Sequence, residues 1–361
     1  FVVGGFSFQP SEIAKLGTAL GLSAYLGQAN VSMERVKDIF FSFGIFMVPA
    51  VLILLQPDAG SALIFMSFII PLFRAGLNAS LYLLGIALAF ILIGSLIWTP
   101  YVMLLIIILA VYLILSYNNS EKRIPVSLVA LLSLVTISSY RFLDYKYLLM
   151  LMLLAGIYFF YLIYKQAKYR LMIFAAATSV FSIALSFLTQ WGFDNLLKPH
   201  QQDRINVWLR PELTDPRGAL YNIIQSKTAI GSGGFTGKGF LEGNMTKLNY
   251  VPEQSTDFVF SILGEEQGFL GSASLIILFT ILLFRISLIA EKSKLLFIRY
   301  YAYSLAGLLF FHFFINIGMT VGIMPVIGIP LPFMSKGGSS LLSFSIMIAI
   351  LLKMDAPTNR S

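Results

Sequence analysis

Asp257 stands where a long polar stretch of the chain meets the apolar run Phe258–Leu263, in the order Ser255-Thr256-Asp257-Phe258. A carboxylate at such a junction suits a general base, since the start of a helix favours its ionised form. The same position also suits a helix start capped by Ser255 or Thr256, with Asp257 as part of the cap. Position alone does not separate the two roles.

Other charged groups lie on or beside apolar runs. Glu265 and Glu266 follow in Gly264-Glu265-Glu266-Gln267-Gly268, with Glu265 and Asp257 near one helix face. Carboxylates at membrane depth are costly, so they serve either chemistry or a buried pair. Gly264 and Gly268 have the spacing of close helix packing. Glu12 and Lys15, in Gln9-Pro10-Ser11-Glu12-Ile13-Ala14-Lys15, are three apart and so share a helix face, where mutual neutralisation is the simplest role. Asp58, in Gln56-Pro57-Asp58-Ala59-Gly60-Ser61, either caps the next helix or points at the same space as Asp257.

Positive charge is the other resource. The run Gly231–Gly239 departs from the phosphate-loop spacing, because Ser232 takes the first glycine position and Gly239 follows Lys238. Its amides, with Arg204, Lys227 and Lys238, could hold a diphosphate, or the run could be a glycine turn with solvated charges. No Asp-x-Asp pair or histidine cluster marks a metal site. With no cysteine and two histidines, His200 and His312, thiol chemistry and disulfides are excluded.

The elements that must position these groups follow from composition. Hydrophobic residues fill 58% of the 361 positions, charged ones 12%, and mean hydropathy is +0.83. Soluble domains carry about a quarter charged residues, so the chain reads as an all-α polytopic membrane protein, a single membrane domain over 1–361. Apolar runs at 11–28, 40–56, 61–73, 81–98, 101–117, 125–140, 147–164, 170–190, 257–284, 299–317 and 339–354 give about eleven spans of a roughly 30 Å core. Alternating them collects Arg35/Lys37, Arg74, Lys122/Arg123, Lys165/Lys168/Arg170, Arg285–Arg299 and Lys353 on one face. That face is expected to be cytoplasmic, leaving the polar stretch 195–256 outside as a large extracytoplasmic loop. Arg141 and Lys146 are exceptions. The net charge of +8 therefore reflects sidedness, and nucleic acid is not an expected partner. Met324–Pro332 carries three prolines and cannot be a regular helix. Irregular backbone at that depth must be buried by protein or line a wet cavity.

Taken in order, Phe8–Lys15, Gln56–Ser61, Gln202–Ile205, Tyr221–Gly239, Val251–Gly271 and Met324–Ser340 resemble the SEDS family of membrane glycosyltransferases, the RodA/FtsW group. The most specific segments are Thr256–Phe260 with Glu265-Glu266, and Pro330-Leu331-Pro332-Phe333-Met334-Ser335-Lys336-Gly337-Gly338-Ser339-Ser340. The wording of Pro325–Pro330 resembles the elongation branch more than the division branch. The resemblance implies a SEDS-type helical bundle that polymerises lipid II (undecaprenyl-diphosphate-linked disaccharide peptide) outside the bacterial cytoplasmic (inner) membrane during elongation and shape maintenance. Asp257 matches the family's essential aspartate. Asp58 matches a second sensitive carboxylate, and Glu12 and Lys15 match a pair that shapes the cavity. Glu253 and Ser339, inside matched segments, join Asp58, Arg204, Lys227, Lys238 and Lys336 as candidate substrate contacts; Glu265 and Glu266 are supporting residues.

Three departures stand out. Lys336 occupies a position where many members have tyrosine. Residues 81–165 hold more spans than the family plan and read as inserted helical hairpins. Helices that precede Phe8 in the family are missing, so the chain is expected to be a fragment. The resemblance further implies a class B penicillin-binding transpeptidase and other elongation proteins as partners, alongside membrane lipids. No cofactor is evident, and a divalent cation such as Mg is left open. Competing readings are a lipid-linked precursor flippase or transporter, a division-type glycosyltransferase, and a scaffold for cell-wall machinery.

Overall fold

The computed structural model describes residues 2–3, 6–7, 9–56, 58–98, 102–103, 106–107, 110, 147, 150, 169–214, 218–248 and 250–358. A two-residue ribbon, β1 (Val2–Val3) with β2 (Phe6–Ser7), precedes the helices. α1 is Pro10–Leu26, with proline in the first turn, where its missing N–H costs nothing. α2 (Val36–Leu54) follows; then α3 (Ala59–Ile64), a 3-10 turn (Phe65–Phe68) and α4 (Ile69–Arg74) run end to end. α5 is Ala79–Ile97 and α6 is Tyr169–Leu196. The stretch read as one long loop contains three helices: α7 (Pro199–Leu209), α8 (Ala219–Ser232) and the short α9 (Asn244–Lys247). α10 (Val259–Lys292), α11 (Leu296–Thr320) and α12 (Gly338–Thr358) complete the chain.

Five of these helices are long and apolar enough to cross a membrane: Val36–Leu54, Ala79–Ile97, Val259–Lys292, Leu296–Thr320 and Gly338–Ala356. The chain is a multi-pass, helical membrane protein. The expected spans at 101–117, 125–140 and 147–164 lie outside the described residues except at scattered positions, and so does most of the expected hairpin insertion.

The chain divides into two compact units, Phe1–Leu81 with Asp203–Ser361, and Tyr82–Gln202. In the second, Ile91, Met103 and Ile107 form a core with Ile106 and Leu185. Gln202 donates to the carbonyls of Phe193 (2.7 Å) and Leu197 (3.2 Å), tying the end of α6 to the start of α7.

The first unit is built around α11, most of whose residues are buried. α1, α4, α10 and α12 pack against it. One seam joins Phe260, Leu275, Phe279 and Leu331 with Phe313 and Ile317, and Phe279 stacks on Phe313. At one end of this unit Arg74 pairs with Glu291, which also accepts from Tyr303. At the other end lie the starts of α3 and α10 and the proline-rich segment.

Candidate functional site

α10 is broken near its start. Gly268 has φ 61° and ψ −154°, which releases backbone groups on both sides of the break. The glycine-rich run supplies their partners. Lys238 and Gly239 donate their amides to the carbonyls of Glu265 (3.1 Å) and Glu266 (3.0 Å). Phe269 and Leu270 donate to the carbonyls of Gly234 (2.9 Å) and Phe235 (3.1 Å). A Cβ on Gly233 would come within 2.0 Å of the Gly264 carbonyl oxygen, and one on Gly237 within 2.1 Å of that of Glu266, so backbone meets backbone. Of the amides offered by sequence to a phosphate, those of Lys238 and Gly239 are therefore committed to the broken helix, and those of Gly233, Gly234 and Gly237 to local turns.

Glu265 completes this joint. Its carboxylate is wholly buried and accepts from Lys238 Nζ (2.7 Å), the Met245 and Thr246 amides (3.0 Å each) and Thr246 Oγ1 (2.8 Å). Lys238, expected at a diphosphate, is engaged in neutralising Glu265. Glu266 is buried as well, and its Oε1 has no hydrogen-bond partner.

Asp257 lies just ahead of α10, whose N-cap is Phe258 and receives no side-chain cap. Neither Ser255 nor Thr256 caps the helix. Thr256 Oγ1 instead donates to Glu253 Oε2 (3.1 Å). The cap expected from Ser255 or Thr256 is therefore absent. Burial pushes its carboxyl above the usual carboxylate range, the charge of Glu253 pushes the same way, and Arg204 on α7 opposes both. Glu253 (φ 52°) and Phe333 (φ 64°) sit in the left-handed region that non-glycine residues avoid. Glu253 acts directly on Asp257, and Phe333 lies two residues before Ser335, which bonds to the Thr256 carbonyl, as strained residues at working sites tend to do.

The proline-rich segment closes over Asp257. A Cβ on Gly328 would approach Asp257 Oδ2 to 3.2 Å, and one on Gly60 would approach the Ile327 carbonyl oxygen to 2.5 Å. The segment thus lies between Asp257 and the start of α3. There Asp58 caps the helix, its Oδ1 accepting from the Ser61 amide (2.9 Å), while Oδ2 accepts from Gln9 Nε2 (3.3 Å). Lys336 donates its amide to the Ser255 carbonyl (2.8 Å), and Ser335 Oγ donates to that of Thr256. The Arg204, Lys227 and Lys336 side chains are exposed. Lys227 lies against Gly322, and Ser339 is in the first turn of α12.

Two residues that sequence reasoning passed over hold this arrangement from beneath. Asn316 Nδ2 donates to the carbonyls of Asp257 (2.8 Å) and Ile329 (2.7 Å). Its amide orientation is fixed, because the reverse would set oxygen against two carbonyl oxygens. One turn earlier, His312 Nδ1 lies 3.1 Å from the Pro330 carbonyl, and Nε2 lies 2.9 Å from Lys15 Nζ. The carbonyl only accepts and the ammonium only donates, so Nδ1 carries the ring proton and Nε2 accepts. Lys15 also donates to Glu12 Oε1 at 2.7 Å, both side chains being buried. Phe344 of α12 packs edge-on to His312 and beneath Lys15. The detectable signal was a polar pair four residues apart inside an apolar span.

The arrangement offers a half-buried carboxylate under an irregular segment, with exposed cations nearby. A model of the cell cycle protein family of FtsW, RodA and SpoVE matches residues 1–104 and 100–360. A relative in Treponema pallidum, named peptidoglycan glycosyltransferase RodA, is 34% identical over 98% of this chain and 76% of its own length. Another in Escherichia coli, named peptidoglycan glycosyltransferase MrdB, is 45% identical over 44% of each chain. A solved peptidoglycan synthase complex contains a chain of like fold, with a TM-score of 0.58, 24% identity and coverage of 99% of this chain and 72% of that one.

Proposed function

The chain belongs to the FtsW/RodA/SpoVE family, and on that footing we propose that it is a peptidoglycan glycosyltransferase of the elongation type, polymerising lipid II at the outer face of the cytoplasmic membrane. The observation that carries this reading is the setting of Asp257. It is a half-buried carboxylate with a raised pKa, held by its own carbonyl and overlaid by Gly328.

In the reaction, the acceptor's GlcNAc 4-hydroxyl attacks the anomeric carbon of the lipid-linked donor with inversion. Asp257 takes the hydroxyl proton as the new glycosidic bond forms. The bond to the diphosphate breaks, and undecaprenyl diphosphate leaves with the electron pair. A base whose pKa is raised toward the working pH is better matched to this proton than an ordinary aspartate. Arg204 and Lys336 supply positive charge to the leaving group, with Lys227 further along the same surface. Glu253, beside Asp257, orients the acceptor sugar. The repulsion between these two carboxylates is of the kind a divalent cation such as Mg relieves, and a bound ion would add charge for the diphosphate.

The irregular segment over Asp257 and the Gly268 joint further along α10 bound the space offered to donor and acceptor. A class B penicillin-binding transpeptidase, acting on the emerging strand, is the partner this reading implies. The test is polymerisation of purified lipid II by the purified protein and by Asp257→Asn. Near-normal glycan synthesis by the variant would overturn the assignment, while transbilayer movement of labelled lipid II without polymerisation would favour a transporter.

A further inference from the structure

The part of the polar stretch that follows the glycine-rich run presents apolar side chains outward. Phe235 is 64% exposed, Phe240 73%, Leu241 61%, Leu248 64% and Tyr250 44%. A soluble surface would not concentrate such groups within sixteen residues. Their level relative to the membrane follows from α10. Its 34 residues are more than a roughly 30 Å hydrocarbon core requires, and they are interrupted at Gly268. The stretch from Phe269 to Lys292 alone is about 36 Å and spans that core, which puts the Gly268 break and Phe269 at the boundary. Phe235 stacks on Phe269 with ring centroids 5.7 Å apart, so it shares that level.

We propose that the segment from Phe235 to Tyr250 is an interfacial lipid-binding element, its apolar side chains seated among phospholipid acyl chains beside α10. Aromatic residues favour this layer, where a ring can bury its face beside the headgroups. Charge does not drive the docking. Lys238 is paired with Glu265, and exposed Lys247 is balanced by exposed Glu242. Phospholipids without net charge should therefore serve as well as anionic ones. The element anchors the half of α10 that carries Glu265 and leads from Asp257, so it fixes the height of the site above the acyl chains.

The chain has no cysteine, which makes site-directed spin labelling direct. Phe240→Cys and Leu248→Cys would carry a nitroxide, with Glu212→Cys, exposed in the turn after α7, as the aqueous control. Each protein is placed in phosphatidylcholine nanodiscs and probed with oxygen and with a water-soluble nickel chelate. Labels at 240 and 248 should collide more with oxygen than with nickel, and the label at 212 the reverse. Nickel dominating at 240 and 248 would overturn the proposal. So would shielding from both reagents, which would mean that protein covers the patch. Unlabelled Phe240→Asp, read by lipid II polymerisation, separates anchoring from catalysis. Activity should fall in nanodiscs more than in detergent.

Discussion

The side-chain amide of Asn316 donates both of its hydrogens to main-chain carbonyls, at 2.8 Å to that of Asp257 and at 2.7 Å to that of Ile329. One buried side chain on α11 therefore fixes the spacing between the proposed base and the segment above it. Asn316→Asp keeps the shape but sets oxygens against those carbonyls. Each unpaired buried carbonyl costs about 1–3 kcal/mol. We expect a loss of polymerisation of about 10-fold or more from kcat, with the KM for lipid II changed less. Single-turnover and steady-state kinetics on the purified variant measure that split.

Asp257→Asn removes the base and should lower the polymerisation rate by about 10²–10⁴-fold, without changing the melting temperature by more than a few degrees. Thermal unfolding in detergent, run beside the rate assay, distinguishes lost chemistry from lost structure.

The pH profile of the wild type carries a signed prediction. The base works only when deprotonated, so a raised Asp257 pKa moves the acid limb to higher pH than an ordinary aspartate gives. Glu253→Gln removes a like charge and should move that limb down. Arg204→Gln removes an opposing charge and should move it up. Limbs that stay in place in both variants would mean that another group sets the profile.

Glu12 and Lys15 face each other at 2.7 Å with almost no exposure. Removing one partner strands a buried charge, at a cost of about 3–5 kcal/mol. Lys15→Met should thus destabilise the protein strongly, while Glu12→Gln with Lys15→Met should recover part of the loss. Melting temperatures of the two singles and the double test this non-additivity.

Gly233→Ala would drive a Cβ into the Gly264 carbonyl, whereas a Cβ on Gly21 meets nothing within 4 Å. The first substitution should abolish recovery of folded protein, and Gly21→Ala should leave yield and melting unchanged. Size-exclusion profiles of the two purified proteins decide it.

The helices of the bundle were legible in the sequence because lipid imposes long apolar runs, and most described helices fall within a few residues of those expected, although α10 runs on to Lys292 and α6 to Leu196. Asp257 was legible too, from its place at a polar–apolar junction. The missing cap and the upward push on its carboxyl were not legible, because a helix-start argument ignores burial by residues far along the chain, such as Gly328. The role of Lys238 was misread for the same reason: its partner, Glu265, lies across a joint that only the fold creates. His312 and Asn316 were overlooked because each is unremarked alone, and their meaning depends on which carbonyls the proline segment turns toward them.

The four hydrogen bonds that bridge the break at Gly268 join main-chain atoms only. Those four bonds carry no titratable group, and the charge on that side is confined to the Lys238–Glu265 pair beside them. On α11, Asn316 likewise holds two carbonyls through a group that does not titrate, whereas Lys15 and His312 are joined through ionisable nitrogens. If surroundings tune this enzyme, they act through its ionisable side chains, with the main-chain bonds across Gly268 serving as the fixed datum.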